Sequence, residues 1–225
     1  METEETRRGP RGRRSALEAS AAPGPLCSTG STNSEAPIYT ALHAAFWQRA
    51  DRPGAESFLL DESDGRPRLE GSVVLYADDA PWRIRYEIAC DANFVTRAVR
   101  VEAQAPGIAR TLSLSADAAR RWSTSAGDLP ALSGCIDVDV SFSPSTNLLP
   151  IRRLGLAVGE SEDVIAAWIL LPDLEVKPLP QRYTRIGERR YRYQSRGGAF
   201  SVELDVDEAG LVLDYPPFWK RAKPG

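Results

Sequence analysis

From about residue 40 onward, apolar and polar residues alternate with a period of two rather than 3.6. Trp82 to Ile88 alternates large apolar with charged residues without a break, and Phe200 to Val206 repeats the pattern. Further alternating or apolar runs are Leu69 to Tyr76, Thr96 to Ala103, Thr111 to Ser115, Ile136 to Val140 and Tyr191 to Tyr193. Because successive side chains of a β-strand point to opposite faces, these runs predict strands with one face in a core and one in water.

Turn signals separate the runs at roughly ten-residue spacing, which is typical of an antiparallel all-β fold. We expect about ten to twelve strands and little helix. Tyr39 to Arg49 has a composition compatible with a helix, although an extended conformation is also open, and Ser115 to Arg120 fits one helical turn. Glu160 to Leu171 starts like a helix, but its β-rich run from Val164 favours a buried strand.

The first 36 residues are rich in Arg, Gly, Ser, Ala, Pro and Glu, with Leu17 and Leu26 as their only large aliphatic residues. Such a stretch buries too little apolar surface to offset its ordering entropy, so we expect a disordered tail. An over-extended translation start is the alternative. Across the whole chain of 225 residues, 42% are hydrophobic and 26% charged, so residues 37–225 are expected to form one globular domain.

Composition excludes several classes of protein. The chain has one histidine, His43, and three cysteines without paired spacing, which excludes histidine-rich metal sites and disulfide scaffolds. The net charge of -3 argues against nucleic-acid binding by the whole surface. The sequence has no secretory signal, no membrane-spanning run, no nucleophile elbow and no phosphate loop. We expect a cytoplasmic protein with free thiols and no cofactor or metal.

Asp137 and Asp139 share one face of a predicted strand. Paired carboxylates can hydrolyse glycosides or hold a hard cation, and they can also bind sugar hydroxyls without chemistry. The simplest interpretation is the solvated face of an amphipathic strand.

The basic run from Gln181 to Arg196 alternates strictly at its centre, where arginines and tyrosines fall on opposite faces of a strand. A platform for single-stranded nucleic acid needs aromatic and cationic groups on the same exposed face. We therefore expect buried tyrosines beneath an outward row of arginines, and no nucleic-acid partner.

The segment Ser141 to Leu156 is the least generic in the chain, because prolines frame Ser145-Thr146-Asn147 and precede Arg152 and Arg153. A long loop held by prolines beside a sheet is a place where binding residues tend to lie. The two arginines can bind an anionic or hydroxyl-rich head group. A structural crossover whose arginines pair with surface carboxylates is the alternative.

This loop belongs to a distinctive series of short motifs. They are Phe46-Trp47, Leu69-Glu70-Gly71, Tyr86-Glu87-Ile88-Ala89-Cys90-Asp91, Cys135-Ile136-Asp137-Val138-Asp139, Ser143-Pro144-Ser145-Thr146-Asn147-Leu148-Leu149-Pro150-Ile151-Arg152-Arg153-Leu154, Ala166-Ala167-Trp168, Gln181-Arg182-Tyr183-Thr184 and Val206-Asp207-Glu208-Ala209-Gly210-Leu211-Val212. As a set, over about residues 40 to 221, they resemble a bacterial family of glycolipid-binding proteins. Pro217 departs from the family pattern, which has glycine after Tyr215-Pro216.

The resemblance implies an all-β, mainly antiparallel fold with little helix: a single-domain curved β-roll, or open barrel-like sheet, like those that carry lipids. It implies no catalytic residues. The favoured hypothesis is therefore a non-catalytic protein that holds a glycolipid or another amphiphile. The candidate ligand-binding residues are Asp137, Asp139, Asn147, Arg152, Arg153, Arg182 and Tyr183.

Two other functions stay open. One is an enzyme acting on a sugar or lipid, with Asp137 and Asp139, or Glu203 and Asp205, as acid and base. The other is a protein-interaction module that docks through Arg182 to Arg196. The sequence predicts no oligomeric state.

Overall fold

The computed structural model describes residues 42–222. The predicted N-terminal tail, residues 1–36, lies outside the described residues, as does Cys27. The described part consists of strands joined mainly by short turns. The strands are β1 Leu42–Arg49, β2 Gly54–Asp61, β3 Arg68–Ala77, β4 Ala80–Cys90, β5 Thr96–Ala105, β6 Ile108–Ala116, β7 Trp122–Thr124, β8 Gly127–Asp128, β9 Asp137–Val140, β10 Ser161–Leu170, β11 Glu175–Gly187, β12 Arg190–Ser195, β13 Phe200–Val206, β14 Val212–Tyr215 and β15 Trp219–Arg221.

All of these strands belong to one 15-stranded sheet in the order β8-β7-β6-β5-β4-β3-β2-β1-β15-β14-β13-β12-β11-β10-β9. Neighbours pair antiparallel except β9 and β10, which are parallel. Among the described residues β8 and β9 are the two edges, so the sheet is open. The predicted all-β, mainly antiparallel fold is confirmed, and the curved roll implied by the resemblance agrees with it.

The alternation that predicted the strands corresponds to burial. In β4, Trp82, Ile84 and Ile88 are buried while Arg83 and Arg85 between them are exposed. The turn after β3 holds Asp78 and Asp79 at positive φ, the geometry of a two-residue hairpin whose twist matches the flanking strands. Strand count exceeds the expectation of ten to twelve because β7, β8, β14 and β15 are too short to show a periodic pattern.

None of the three segments with helical features is helical where it is described. Residues 42–49 form β1, with Ala45 and Trp47 facing inward, and residues 39–41 lie outside the description. Ser161–Leu170 forms β10, as the β-rich run predicted. The single helical turn expected over Ser115 to Arg120 is wrong: β6 extends to Ala116, and a tight turn follows in which the Arg120 N–H donates to the Asp117 carbonyl oxygen.

The sheet curls so that its second half returns to its first. The backbone N–H of Val138 in β9 donates to Thr96 Oγ1 in β5 over 3.2 Å. The indole N–H of Trp122 in β7 donates to the carbonyl oxygen of Cys135 over 3.0 Å. The first contact joins β9 to β5, and the second joins β7 to the residues just before β9, so parts of the chain far apart in the sheet order meet and the open sheet forms a roll.

The proline-framed segment between β9 and β10 is a helical crossover inside the roll, and the expectation of a long loop is wrong. A 3-10 turn, Ser145–Asn147, leads into α1, Leu148–Leu154. Pro150 lies in the first helical turn, where an N–H has no intrahelical partner, and Gly155 ends the helix with φ +54. Leu148 and Leu149 are completely buried, so this segment fills the core rather than the surface.

One end of the roll, which we call the mouth, is formed by the connections at 50–53, 78–79, 106–107 and 216–218. The β10–β11 hairpin extends along this end, and Arg110 Nη2 at the start of β6 lies 3.7 Å from Asp173 Oδ1. Within residues 42–222 there is no helix of the length and apolarity needed to cross a membrane.

Gly71 makes room for a buried tyrosine. It pairs with Tyr86 across β3 and β4, and a Cβ at this position would overlap the Tyr86 ring. We expect Gly71→Ala to lower the free energy of unfolding by about 1–3 kcal/mol, the usual cost of overpacking. Urea unfolding is the measurement. The neighbouring outward Ser72→Ala is the control and should change stability by less than about 0.5 kcal/mol; equal effects of the two variants would contradict this packing argument.

Candidate functional site

The face of β9 that carries the two aspartates turns inward. Asp137 is 1% exposed, and Asp139 lies in the wall of an internal cavity. The interpretation of this face as solvated is therefore wrong. Alternation identified the shared face, but not its surroundings, because the crossover covers one side of β9 and the rolled sheet covers the other. Val138 and Val140 are buried as well, each at 1% exposure.

Asp137 and Arg153 form a buried two-point ion pair. Arg153 donates from Nε to Oδ1 over 3.0 Å and from Nη2 to Oδ2 over 2.6 Å. Burial raises the pKa of Asp137, and the guanidinium opposes this shift. Both carboxylate oxygens are occupied, so the pair ties α1 to β9. Removing one partner of such a pair leaves a buried charge and is strongly destabilising.

Asp139 is the only aspartate of the two that faces the cavity. Gln181 in β11 donates from Nε2 to Asp139 Oδ2 over 2.5 Å, and the same nitrogen is 3.2 Å from the Tyr193 hydroxyl oxygen. Burial raises the pKa of Asp139 to about 6, against the opposing effect of the Gln181 hydrogen bond. Among the described residues, the hydrogen bond from Gln181 is the only one that Asp139 accepts through its side chain. It therefore has acceptor capacity left for a ligand.

The cavity has a volume of about 370 Å³ and lies at the mouth. β9 and the crossover contribute three polar residues to its lining: Asp139, Ser143 and Asn147. Aromatic residues line much of the rest: Phe142, Trp168, Tyr193, Phe200, Tyr215, Phe218 and Trp219. Arg52 and Arg196 lie at its exposed border.

The aromatic lining is held together before any ligand binds. Phe200 and Phe218 stack with ring centroids 5.9 Å apart, and Tyr215 meets Tyr193 edge to face at 6.2 Å. The Arg196 guanidinium lies 5.5 Å from the Trp168 ring centroid. Such contacts fix ring orientations at little further entropic cost on binding.

Asn147 and Tyr183 are joined by a buried hydrogen bond. The Tyr183 hydroxyl donates to Asn147 Oδ1 over 2.9 Å, while Asn147 Nδ2 donates to the Pro144 carbonyl oxygen over 3.0 Å. Asn147 lines the cavity and Tyr183, 1% exposed, supports it from behind. Two of the predicted site residues, Asp139 and Asn147, thus lie in the cavity itself.

Arg152 and Arg182 lie elsewhere. Arg152 donates to Glu62 Oε1 over 2.9 Å and to the Ala209 carbonyl oxygen over 3.0 Å, with its guanidinium over the Phe94 ring. Arg182 is exposed on the outer face and pairs with Asp163 over 2.7 Å. The structure therefore does not bring the seven predicted candidates into one site.

The expected arrangement of the basic run is confirmed. Tyr183, Tyr191 and Tyr193 are at most 5% exposed, while Arg190 and Arg192 point outward. Both arginines pair with Glu203 in β13, each at 3.3 Å. The second pair of carboxylates considered for catalysis, Glu203 and Asp205, therefore lies on the outer face beside these arginines.

A buried polar cluster connects the crossover to the first half of the sheet. Glu56 Oε1 in β2 accepts hydrogen bonds from the Tyr86 hydroxyl over 2.5 Å and from Ser143 Oγ over 2.8 Å. Ser145 Oγ lies 2.6 Å from the same tyrosine hydroxyl. Burial raises the pKa of Glu56 to about 8, opposed by these two hydrogen bonds. The carboxyl group is therefore mostly neutral at pH 7, which avoids a buried charge.

Sequence reasoning missed this cluster, although one signal was present. In β2, Glu56 is in phase with the buried residues Phe58 and Leu60, so it occupies an inward position of the strand. An acid at an inward position indicates a buried partner network. The cavity aromatics gave no comparable signal, because they come from separate strands and connections that only the roll brings together.

The described cysteines are buried thiols. Burial raises the pKa of Cys90 to about 12 and that of Cys135 to about 11, so neither is a reactive thiolate. Among residues 42–222, His, Cys, Asp and Glu form no group of three arranged to hold a metal ion.

The raised pKa of Glu56 gives a test of the cluster. Between about pH 5 and 8 the folded protein keeps this proton while the unfolded chain loses it, so stability falls as pH rises. Relative to Glu56→Gln, the wild type should lose up to about 1.4 kcal/mol per pH unit in this window. Urea unfolding across this pH range measures the difference, with exposed Glu70→Gln as the matched control. Parallel curves for wild type and Glu56→Gln would refute the assignment.

Comparisons with known proteins place the chain in a family. The family described as "Putative glycolipid-binding" matches residues 44–221. No curated protein matches the chain. A crystal structure of a DUF1089 family protein from Pseudomonas aeruginosa is 35% identical, with a TM-score of 0.70, covering 75% of this chain and 92% of that one. Because the match spans nearly all of the described sheet, the chain belongs to this family.

Proposed function

We propose that the protein binds the sugar head group of a glycolipid, or of a similar amphiphile, in the aromatic cavity at the mouth. The observation that carries the proposal is the combination in one cavity of an inward-facing carboxylate, Asp139, with preorganised aromatic rings. The description of the family agrees with this class of ligand. The cavity volume of about 370 Å³ lies within the usual range for ligand pockets, roughly 300–1,000 Å³.

The polar lining favours a head group over a hydrocarbon chain as the occupant. An acyl chain lying against Asp139 would leave the remaining acceptor capacity of its carboxylate without a partner, which costs free energy in a site shielded from water. Sugar hydroxyls can donate to the carboxylate. Gln181 holds Asp139 Oδ2 in place, so the acceptor is oriented before binding.

The aromatic lining complements the other surface of a sugar. A pyranose ring presents C–H groups on its faces, and these pack against aromatic rings such as Trp168 and Phe200, while its hydroxyls point outward. At the border, Arg52 and Arg196 can donate to hydroxyls or to an anionic substituent. The cavity therefore offers acceptors, donors and apolar faces in the mixture that a sugar requires.

Replacement of Asp139 tests the proposal directly. A hydrogen bond to a charged group contributes about 1.5–3 kcal/mol, so Asp139→Asn should weaken binding by about 10–100-fold. Titrations would use octyl glycosides of glucose, galactose and mannose below their micellar concentrations, with calorimetry as the readout. Asp163→Asn, on the exposed outer face, is the matched control and should bind like the wild type. No binding of any glycoside, or equal binding by both variants, would contradict the proposal.

The same carboxylate predicts a pH dependence. Because hydroxyls donate to ionised Asp139, whose pKa burial raises to about 6, affinity should fall as pH drops below about 6. The decline should approach tenfold per pH unit in the wild type and be absent in Asp139→Asn. Repeating the titrations between about pH 5 and 8 checks this. Equal pH profiles for the two proteins would show that the ligand does not bind the carboxylate.

A further inference from the structure

The two aspartates of β9 share one inward face but differ in what balances their charge. Asp137 accepts from the guanidinium of Arg153 through both of its carboxylate oxygens. Within residues 42–222, the carboxylate of Asp139 forms no ion pair with an arginine, lysine or histidine, and its side-chain partner is the neutral amide of Gln181. Charges shielded from water are normally paired, because an unpaired one costs free energy. The negative charge of Asp139 therefore remains open to a cation that enters the cavity.

The rings beside Asp139 are suited to a cation. Gln181 Nε2, which donates to Asp139, is also 3.2 Å from the Tyr193 hydroxyl oxygen. Burial, and after it neighbouring groups that include Asp139, raise the pKa of Tyr193 and of Tyr215, so both tyrosines lie close to this carboxylate. Both also line the cavity. Because the faces of aromatic rings attract positive charge, these two rings and the carboxylate together favour a cationic group.

The arginines of the lining do not supply that cation. Arg49 donates from Nε and Nη2 to the two carboxylate oxygens of Asp51, over 2.7 and 2.6 Å, and Arg52 donates to the same carboxylate over 3.1 Å. Arg196 is exposed at the border of the cavity. A further carboxylate of the lining, Asp78, lies in the exposed turn between β3 and β4. The inner part of the cavity thus keeps one carboxylate whose charge no described side chain balances.

We propose that the head group bound in the cavity is an amino sugar, whose ammonium group pairs with Asp139. This inference rests on the proposed function, because it names the class of sugar that the same cavity takes. A hydroxyl group satisfies the carboxylate as an acceptor but leaves its charge in place. An ammonium group donates to the same oxygen, neutralises the charge and packs against the rings of Tyr193 and Tyr215.

Exchange of a hydroxyl for an amine tests the inference on the wild type. The octyl glycosides of glucose, galactose and mannose would be compared with derivatives in which an amino group replaces one hydroxyl, at each ring position in turn. The N-acetylated forms of these derivatives are the matched neutral controls. In calorimetric titrations at about pH 7, one amino derivative should bind at least about tenfold more tightly than its parent, and its N-acetylated form should not.

The outcomes separate this inference from the proposed function. If the parent glycosides bind and no amino derivative binds more tightly, the amino-sugar assignment is overturned and the sugar site stands. Tight binding that N-acetylation leaves unchanged overturns the assignment as well, because the ammonium charge is then not what is recognised. If none of the compounds binds, both proposals are overturned.

The pH profile of the wild type gives a second readout that needs no variant. Below about pH 6 both the parent glycoside and the amino derivative should bind more weakly, as Asp139 gains a proton. Above roughly pH 8, where such an amine loses its proton, the amino derivative alone should weaken. The arginines of the lining stay charged throughout this range, so the alkaline decline belongs to the ligand. Identical profiles for the two ligands up to about pH 9.5 would overturn the inference.

Two substitutions of aspartate by asparagine locate the preference. In Asp139→Asn, the amino derivative and its parent should bind within about twofold of each other. Asp78→Asn is the matched control, because it removes a carboxylate from the exposed border at a position of positive φ that asparagine tolerates. It should retain the full preference for the amine. A preference that survives in Asp139→Asn, or that both variants lose equally, overturns the inference.

Discussion

The contact between Glu56 and the segment Ser143–Ser145 determines where the crossover lies inside the roll. It connects β2 to the segment that follows β9. Glu56 and Ser143 are 87 positions apart in the sequence. One oxygen of the buried carboxyl accepts from Tyr86 and Ser143, so the cluster specifies both position and orientation. Because Gly71 has no side chain, the Tyr86 ring can pack directly against its backbone.

The polar lining of the cavity depends on the same contact. Ser143 belongs to the anchored segment and Asn147 follows it by two residues, and Asn147 is held in turn by Tyr183. The ion pair of Arg153 with Asp137 ties the end of α1 to β9, next to Asp139. A site built on buried, mutually constrained side chains keeps its geometry before the ligand arrives, and preorganisation of this kind reduces the cost of binding.

The sequence predicted the strands well and the site only in part. Period-two alternation located β4 and β13 because each strand has one solvent-exposed face and one face turned towards the core. It placed the aspartates of β9 on one face but could not show that both faces of that strand are covered. Local pattern also could not show that Ser141 to Leu156 runs through the interior, since its burial depends on strands distant in sequence. Asp139 and Asn147 were identified as candidates, whereas the aromatic lining emerged only from the rolled sheet, and the one sequence signal of the Glu56 cluster was the inward phase of Glu56 in β2.

Native mass spectrometry of the protein purified gently from its own host tests the central claim most directly. The account predicts a discrete added mass on the wild type that disappears on extraction with organic solvent and whose fragmentation shows a sugar joined to a hydrocarbon chain. The Asp139→Asn protein, purified in parallel, should carry much less of it. An extractable ligand without hydroxyls, or equal loading of the two proteins, would contradict the account.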